Sequence, residues 1–249
     1  MATEAMVVDV SQDWIQACSV QERFMRGPAL RHGQLDYAAS CRQMRALGGD
    51  CYDFCCQPGG QLAMLVGDAS GKGVAAALMM TSVQASLRTA ALFAGDCLAE
   101  LFRVVNGQAC ATSPADRYAT LFYGVLDQSA RTLRYVNAGH NAPMILRRDG
   151  SIEWLEPTGA PVGLFADATW QERAVALRPG DCVIAYTDGV TEAASPLGGE
   201  WGIDGLRQAA ESCGSQPADA LVRSILDAMD EFSGGVQTDD ATVAALRIL

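Results

Sequence analysis

The spacing of apolar residues divides the chain into a short helical start and a longer part that alternates strands and helices. Over residues 1–26 apolar side chains, among them Val10, Trp14 and Cys18, recur close to helical spacing. Glycine and proline at positions 27 and 28 end this pattern. We predict that residues 1–27 form a helical connector or a homodimerisation segment. A helix that packs on its own domain is the equal alternative.

After residue 28 the pattern predicts one domain, 28–249, with strands in runs and helices in two pairs. The predicted strands are 35–42, 50–57, 62–67, 119–126, 132–137, 143–148, 152–155, 172–177, 182–187 and 241–248. The predicted helices are 74–94, 97–111, 203–213 and 217–232. Runs of strands followed by helix pairs favour a layered α+β domain over a parallel sheet built from alternating strands and helices.

Composition excludes several classes of protein. Hydrophobic residues make up 49% of the 249 positions and charged residues 19%, which is enough for a large buried core and argues against disorder. No apolar run approaches the roughly 20 residues that span a bilayer. The N-terminus also lacks the basic and apolar pattern of a secretory signal. We therefore expect no membrane span and a cytoplasmic location.

The net charge of −11 narrows the choice of partners. Nucleic acid is disfavoured as a partner, because its binding depends on basic side chains that neutralise phosphates. A phosphorylated substrate is compatible with this charge only where cations are bound at the site. Nine cysteines without an export signal predict reduced thiols. Cys51, Cys55 and Cys56 lie in a predicted strand without a completing histidine, so we interpret them as packing residues rather than zinc ligands.

Aspartates occur where four predicted strands begin or end, and at three of these places an aspartate adjoins glycine. Glycine allows a sharp turn and the close approach of an ion. Two unit charges about 4 Å apart repel by about 4 kcal/mol at an effective dielectric near 20. Several carboxylates brought together would therefore need cations or raised pKa values. Each Asp-Gly pair alone is typical of a turn, so the inference depends on the set, which is Asp50, Asp53, Asp68, Asp188, Asp239 and Asp240.

All-oxygen ligands suit Mg²⁺ or Mn²⁺ better than zinc. Two other interpretations of the motifs fit less well. The segment 67–73 has three residues between its first glycine and the Gly-Lys pair, whereas a nucleotide-binding P-loop has four and then a hydroxyl residue. A serine hydrolase triad through His140 lacks the G-x-S-x-G elbow, so we expect His140 to shape its own loop.

The acidic segments, taken in order, resemble the motifs of the SpoIIE/RsbU branch of the metal-dependent (type 2C) protein phosphatases. The resemblance covers about residues 28–249. Its motifs are GGDCYDF at 48–54, VGDASGKG at 66–73, NAGH at 137–140, PGD at 179–181 with YTDGVTE at 186–192, and DDAT at 239–242. It implies a four-layer α-β-β-α sandwich, with two antiparallel sheets flanked by helix pairs and a metal site at one end.

The resemblance also implies roles for individual residues. Asp68 would bridge two Mn²⁺ or Mg²⁺ ions, and the backbone carbonyl of Ala69 would be a further ligand. Asp188 and Asp239 would hold one ion, with the metal-holding Asp68, Asp188 and Asp239 forming the catalytic set. Asp50 would support the other ion, directly or through water. Asp53 and Asp240 are secondary candidates.

Arg45 is a candidate for binding the phosphate of the substrate. Arg45 stands five residues before Asp50, where better-known relatives outside this branch place a phosphate-binding arginine; a surface arginine is the competing interpretation. The resemblance implies hydrolysis of phosphoserine or phosphothreonine on a phosphorylated anti-anti-sigma (STAS) protein in a bacterial partner-switching pathway. A catalytically inactive phosphatase fold that acts as a scaffold or binding module is the alternative.

Overall fold

Two antiparallel sheets face each other, and a pair of helices covers the outer side of each. The computed structural model describes residues 10–25, 31–32, 34–93 and 97–249. The first sheet has the strand order β1-β2-β11-β10-β7-β8 and the second the order β3-β4-β5-β6-β9. The predicted α-β-β-α sandwich is therefore confirmed.

The elements follow in chain order. The strands of the first sheet are β1 Arg31–His32, β2 Leu35–Arg42, β7 Met144–Leu146, β8 Ile152–Trp154, β10 Cys182–Tyr186 and β11 Ala241–Ile248. Those of the second sheet are β3 Cys51–Cys56, β4 Leu62–Ala69, β5 Ala119–Asp127, β6 Thr132–Ala138 and β9 Arg173–Ala176. The helices are α1 Val10–Phe24, α2 Val74–Ala91, α3 Leu98–Thr112, α4 Asp188–Thr191, α5 Gly202–Cys213 and α6 Ala218–Ser233.

Three apolar layers hold the sandwich together. The central layer lies between the sheets and joins residues such as Met64 of β4 and Val183 of β10. The second layer packs α2 and α3 against the second sheet, and the third packs α5 and α6 against the first. Strands with both faces covered read as nearly continuous apolar runs, as all eight buried residues of β11 illustrate.

The differences from the predicted elements concern mainly short segments and ends. Strand β4 continues two residues past its predicted end, because Asp68 and Ala69 pair with Thr120 and Ala119 of β5. The four-residue helix α4 was not predicted, since one turn is too short to show helical periodicity. The described residues contain no helix that is both long and apolar enough to cross a membrane.

Helix α1 is fastened to the domain at its C-terminal end. The side chain of Gln21 is buried and donates to the carbonyl of Gly48 at 2.7 Å, while Gln84 and Arg88 of α2 donate to the carbonyl of Phe24. Trp14 and other apolar residues nearer its start are exposed. The part of the predicted N-terminal helix before residue 10 lies outside the described residues.

The cysteines are free thiols. Of the three that we predicted to be packing residues, Cys51 is buried and Cys55 is half-buried. Cys56 is exposed at the end of β3, so the packing interpretation is wrong for this residue. Alternation places Cys56 on the same face as the buried Phe54, but Cys56 is the last residue of β3, where burial along the strand ends.

Candidate metal centre

Four of the predicted aspartates meet at one end of the sandwich, which we call the acidic end: Asp50, Asp68, Asp188 and Asp239. Antiparallel pairing explains the convergence. Cys51 at the start of β3 pairs with Gly67 near the end of β4. In the other sheet Tyr186 at the end of β10 pairs with Val243 near the start of β11. The four aspartates therefore lie at the strand ends that meet at one end of the sandwich.

Asp50 is the most enclosed of the four, with 2% of its surface exposed. Its Oδ2 accepts hydrogen bonds from the hydroxyls of Thr187 at 2.7 Å and Thr242 at 2.6 Å. Burial raises the pKa of Asp50 well above its usual value, and the neighbouring charge of Asp68 raises it further. The two threonines thus fix the direction of a carboxylate to which no basic side chain in the described part of the chain donates.

Asp68 is a second carboxylate of the acidic end whose pKa is raised. Burial, and then repulsion by Asp188 and Asp239, raises its pKa to about 7, and a hydrogen bond with Asp50 opposes that rise. The backbone nearby is equally close packed. A Cβ on Gly49 would lie 3.0 Å from the carbonyl oxygen of Ala69 and 3.3 Å from Oδ1 of Asp68. A glycine at this position therefore lets the loop before Asp50 approach the two predicted ligands.

Asp188 and Asp239 complete the acidic end. Burial and the charge of Asp239 raise the pKa of Asp188, which begins helix α4. Oδ1 of Asp239 accepts the backbone N–H of Asp240 at 2.9 Å, and its Oδ2 lies 2.6 Å from Nζ of Lys72. The sequence pattern did not predict the contact with Lys72, because 167 residues separate the two positions.

The two secondary candidates have protein partners. Asp240 accepts the N–H groups of Met44 and Gly49, each at 2.8 Å, and so fastens the loop that precedes Asp50. The buried carboxylate of Asp53 accepts two hydrogen bonds from the guanidinium of Arg88 in α2. Both carboxylates are engaged by protein donors, so we assign Asp53 and Asp240 a supporting role and not that of metal ligands.

Arg45 is exposed and reaches the loop that follows Asp68. Its Nη1 lies 3.3 Å from the position that a Cβ on Gly73 would take. Sequence reasoning missed Thr187, Thr242 and Lys72 as parts of the site. Each stands within a quoted motif, so the signal was a hydroxyl or amine beside a motif acid, a signal too common to decide a role.

His140 does not form a hydrolase triad. It is buried, and burial lowers its pKa to about 4, with the backbone of Tyr186 giving a smaller opposing effect. Its Nδ1 is 2.8 Å from the hydroxyl of Thr120, and its Nε2 has no partner with hydrogen-bond geometry. The backbone N–H of His140 donates to Oδ1 of Asn137. The prediction that His140 shapes its loop agrees with this geometry.

The donor set fits hard divalent cations. The groups are carboxylates and one backbone carbonyl. Burial, and then repulsion among the carboxylates, raises the pKa values of Asp50, Asp68 and Asp188, and bound cations would oppose that rise. Within the described ranges, no three His, Cys, Asp or Glu side chains stand in a ready coordination shell. A cation would therefore have to draw these carboxylates together.

Comparison with known proteins identifies relatives over most of the chain. The family model of Stage II sporulation protein E (SpoIIE) matches residues 58–249. Protein IcfG of Synechocystis sp. is 30% identical over 249 residues, covering 88% of this chain and 38% of IcfG. Phosphoserine phosphatase RsbU of Bacillus subtilis is 26% identical over 235 residues, covering 93% of this chain and 68% of RsbU. The chain thus spans well under half of IcfG and about two thirds of RsbU.

A solved structure agrees with these relatives. The RsbU and RsbW domains of Rv1364c from Mycobacterium tuberculosis match with a TM-score of 0.77 and 28% identity. The match covers 90% of this chain and 62% of that one. The fold described above is therefore shared along nearly the whole length of the chain.

Proposed function

Because the chain belongs to the SpoIIE family, we propose that it is a metal-dependent protein phosphatase acting on phosphoserine or phosphothreonine. The observation that carries this proposal is the acidic end. Four carboxylates from different parts of the chain converge there, and burial together with their mutual repulsion raises the pKa values of Asp50, Asp68 and Asp188. This unfavourable arrangement is what a cation site requires before its cations bind.

The proposed ligands are those implied by the motifs. Asp68, the backbone carbonyl of Ala69, Asp188 and Asp239 would hold divalent cations, Mn²⁺ or Mg²⁺, and Asp50 would support them. When bound, such ions lower the pKa of a water molecule and neutralise charge on phosphoryl oxygens. Neutralising the phosphate in this way also reconciles an anionic substrate with a chain of charge −11.

The surrounding residues hold this set in place. The hydroxyls of Thr187 and Thr242 orient Asp50, and Asp240 ties the loop before Asp50 through two backbone N–H groups. Such supports matter because catalysis depends on ligands held close to their working geometry. Arg45 lies on the same loop, and we retain it as the proposed contact to the substrate phosphate.

The proposed substrate is a phosphorylated STAS protein of the anti-anti-sigma type. The relationship to a phosphoserine phosphatase, RsbU, supports the phosphoserine part of this proposal. We also retain the cytoplasm as the proposed location and exclude nucleic acid as a proposed partner, the latter on net charge.

Residues 1–27 remain our proposed connector or homodimerisation segment, ahead of a domain over 28–249. Trp14, Ile15 and Val20 are exposed on α1, which supports a further contact for this helix. The hydrogen bonds of Gln21 support the alternative in which α1 packs on its own domain. Light scattering of the whole chain and of a variant with Trp14→Ser and Ile15→Ser distinguishes them, since the first proposal requires the variant to lose its dimer.

The activity is tested with Mn²⁺, a chelator and a phosphoserine protein. We expect phosphate release that requires Mn²⁺ and is lost in Asp188→Asn, which keeps the side-chain shape but removes one ligand charge. Asp204→Asn is the matched control, because Asp204 is 85% exposed on α5. Near-normal Mn²⁺-dependent turnover in Asp188→Asn would overturn the ligand assignment. Cation binding without turnover would favour the scaffold alternative.

A further inference from the structure

Lys72 holds the carboxylate of Asp239 at the surface of the acidic end. Its Nζ lies 2.6 Å from Oδ2 of Asp239 and 3.1 Å from the carbonyl oxygen of Thr238. The side chain of Lys72 is 43% exposed, so the ion pair is open to solvent. A basic side chain thus partly offsets the repulsion that cations would otherwise offset.

The oxygen that Lys72 contacts is the one a cation would need. Oδ1 of Asp239 already accepts the backbone N–H of Asp240 at 2.9 Å. Oδ2 faces the ammonium group of Lys72 instead. A divalent cation bound through Oδ2 therefore competes with Lys72 for the same atom.

The residue type suits an exchangeable contact. Lys72 is the only lysine in the sequence, which has 18 Lys and Arg residues in all. Where the fold holds a carboxylate permanently it uses arginine, as in the two-pronged contact of Arg88 with Asp53. An ammonium group makes a single-point contact on a flexible stem, whereas a guanidinium group clamps a carboxylate through two bonds.

The loop backbone that carries Lys72 is held by its own contacts, whereas the lysine side chain is a flexible stem. Gly71 and Gly73 have φ values of +90° and +76°, which favour glycine. The guanidinium of Arg117 donates to the carbonyl of Ser70 at 2.7 Å, and a Cβ on Gly71 would collide with it. The amine of Lys72 could therefore change its partner without a shift of the loop that carries Asp68.

We propose that Lys72 is an exchangeable counter-ion, which holds Asp239 until a divalent cation takes that carboxylate and then contacts the phosphoryl oxygens of the substrate. The first half depends on the fit of the acidic end to cations. The second half rests on the proposed phosphatase function. Lysine is well suited to this second role, since it binds phosphate as a point charge.

The exchange is tested by acetylating the amine and measuring its modification by peptide mass spectrometry. As the sole lysine, Lys72 gives one signal, and the α-amino group of the chain serves as internal reference. We expect Mn²⁺ to accelerate acetylation relative to chelator, because the ion pair is broken. In Asp239→Asn, Lys72 should be acetylated fast without Mn²⁺, and Mn²⁺ should not accelerate its acetylation further. In Asp204→Asn, Lys72 should be acetylated as in the chain without substitutions. Equal rates with saturating Mn²⁺ and with chelator would overturn the exchange.

Cation affinity provides a second measurement that does not depend on turnover. By calorimetry, Lys72→Met should tighten Mn²⁺ binding about two- to five-fold, the size expected for removing an exposed ion pair. Lys72→Arg should weaken it, because a bidentate clamp is harder to displace. Arg223→Met, which removes the exposed pair with Asp219 on α6, is the matched control and should leave affinity unchanged. Unchanged or weaker binding in Lys72→Met would contradict the proposal.

Kinetics test the phosphoryl contact separately. At saturating Mn²⁺, Lys72→Met should raise KM for a phosphoserine protein about three-fold or more, the loss expected for one charge-assisted contact. An unchanged KM would overturn this half alone. If the unmodified chain shows no phosphatase activity while Mn²⁺ still accelerates acetylation of Lys72, the proposed function fails and the exchange stands.

Discussion

Strand β10 has an aspartate beyond each of its ends, and the two carboxylates differ in the charges that surround them. Asp181 precedes the strand and Asp188 follows it, about 20 Å apart by the rise of a strand. Asp181 is 1% exposed, and its carboxylate accepts Arg147 at 2.6 Å and the N–H of Arg178 at 2.9 Å. Asp188 instead faces Asp239, and burial followed by the charge of Asp239 raises the pKa of Asp188.

The comparison separates carboxylates that stabilise the fold from carboxylates that wait for a ligand. We call the cluster of Asp181, Arg147, Arg148 and Arg178 the paired end, because its buried charge is matched within the protein. At the acidic end the buried charges repel one another. Both ends carry an aspartate beside glycine, so the motif alone does not distinguish them. The presence of a partner does.

The largest expected effect comes from Asp68→Asn, which removes one of the four charges of the acidic end. Turnover should fall by about 10³-fold or more, since a lost ligand removes several kcal/mol of charge stabilisation. Stability with chelator at pH 8 should rise by about 1–2 kcal/mol. The sign follows from the folded pKa of about 7, which is above the ordinary 3.8, so ionising Asp68 costs stability as pH rises through that range.

Thermal unfolding with chelator and a phosphate-release assay check both parts of this prediction. Asp204→Asn, on an exposed surface of α5, should change neither quantity. A lower melting temperature for Asp68→Asn in chelator would show that the carboxylate stabilises the fold, and would erase the contrast between the two ends.

The paired end should respond in the opposite way. Arg147→Met leaves the buried carboxylate of Asp181 without its cation, and breaking such a pair costs about 3 kcal/mol. Turnover per folded molecule should stay the same, because the acidic end is untouched. Denaturant unfolding checks the loss, and the double variant with Asp181→Asn should recover part of it. Unchanged stability in Arg147→Met would mean that water replaces the arginine.

His140 provides a smaller, pH-dependent effect. Its pKa of about 4 in the folded chain lies below the ordinary 6.5, so it contributes stability above pH 6.5 that is lost as pH falls towards 4. Between pH 7.5 and 5 this amounts to about 2 kcal/mol. The unmodified chain should therefore lose more stability than His140→Gln over that range, measured by urea unfolding. Parallel pH profiles of the two proteins would contradict the prediction.

The sequence predicted most of the fold, because long apolar strands carry their own signal. The bounds of β2 and β11 were correct to the residue. The last two residues of β4 were not predicted, since Gly-Asp at 67–68 has poor strand propensity and pairing with β5 overrides it. Local propensity cannot supply such tertiary information.

The acidic end was predictable in composition but not in detail. Motif order was enough to select Asp50, Asp68, Asp188 and Asp239 as the converging acids. It ranked Asp53 only as a secondary candidate and did not reveal its partner Arg88, which is 35 residues away. The hydroxyl that orients Asp50 comes from Thr242, 192 residues away. Partners at such separations are fixed by strand pairing, which a single sequence does not display.

The smallest expected effect compares an exposed arginine at each end. Arg45→Ala should raise KM for a phosphoserine protein several-fold and leave kcat unchanged, because a phosphate contact made equally in the ground and transition states affects binding alone. Arg148→Ala is the matched control, since Arg148 is exposed at the paired end, where its stem packs on Gly180. Steady-state kinetics at saturating Mn²⁺ measure both variants. Equal KM values would leave Arg45 as an ordinary surface residue, whereas a rise confined to Arg45→Ala would place the substrate at the acidic end.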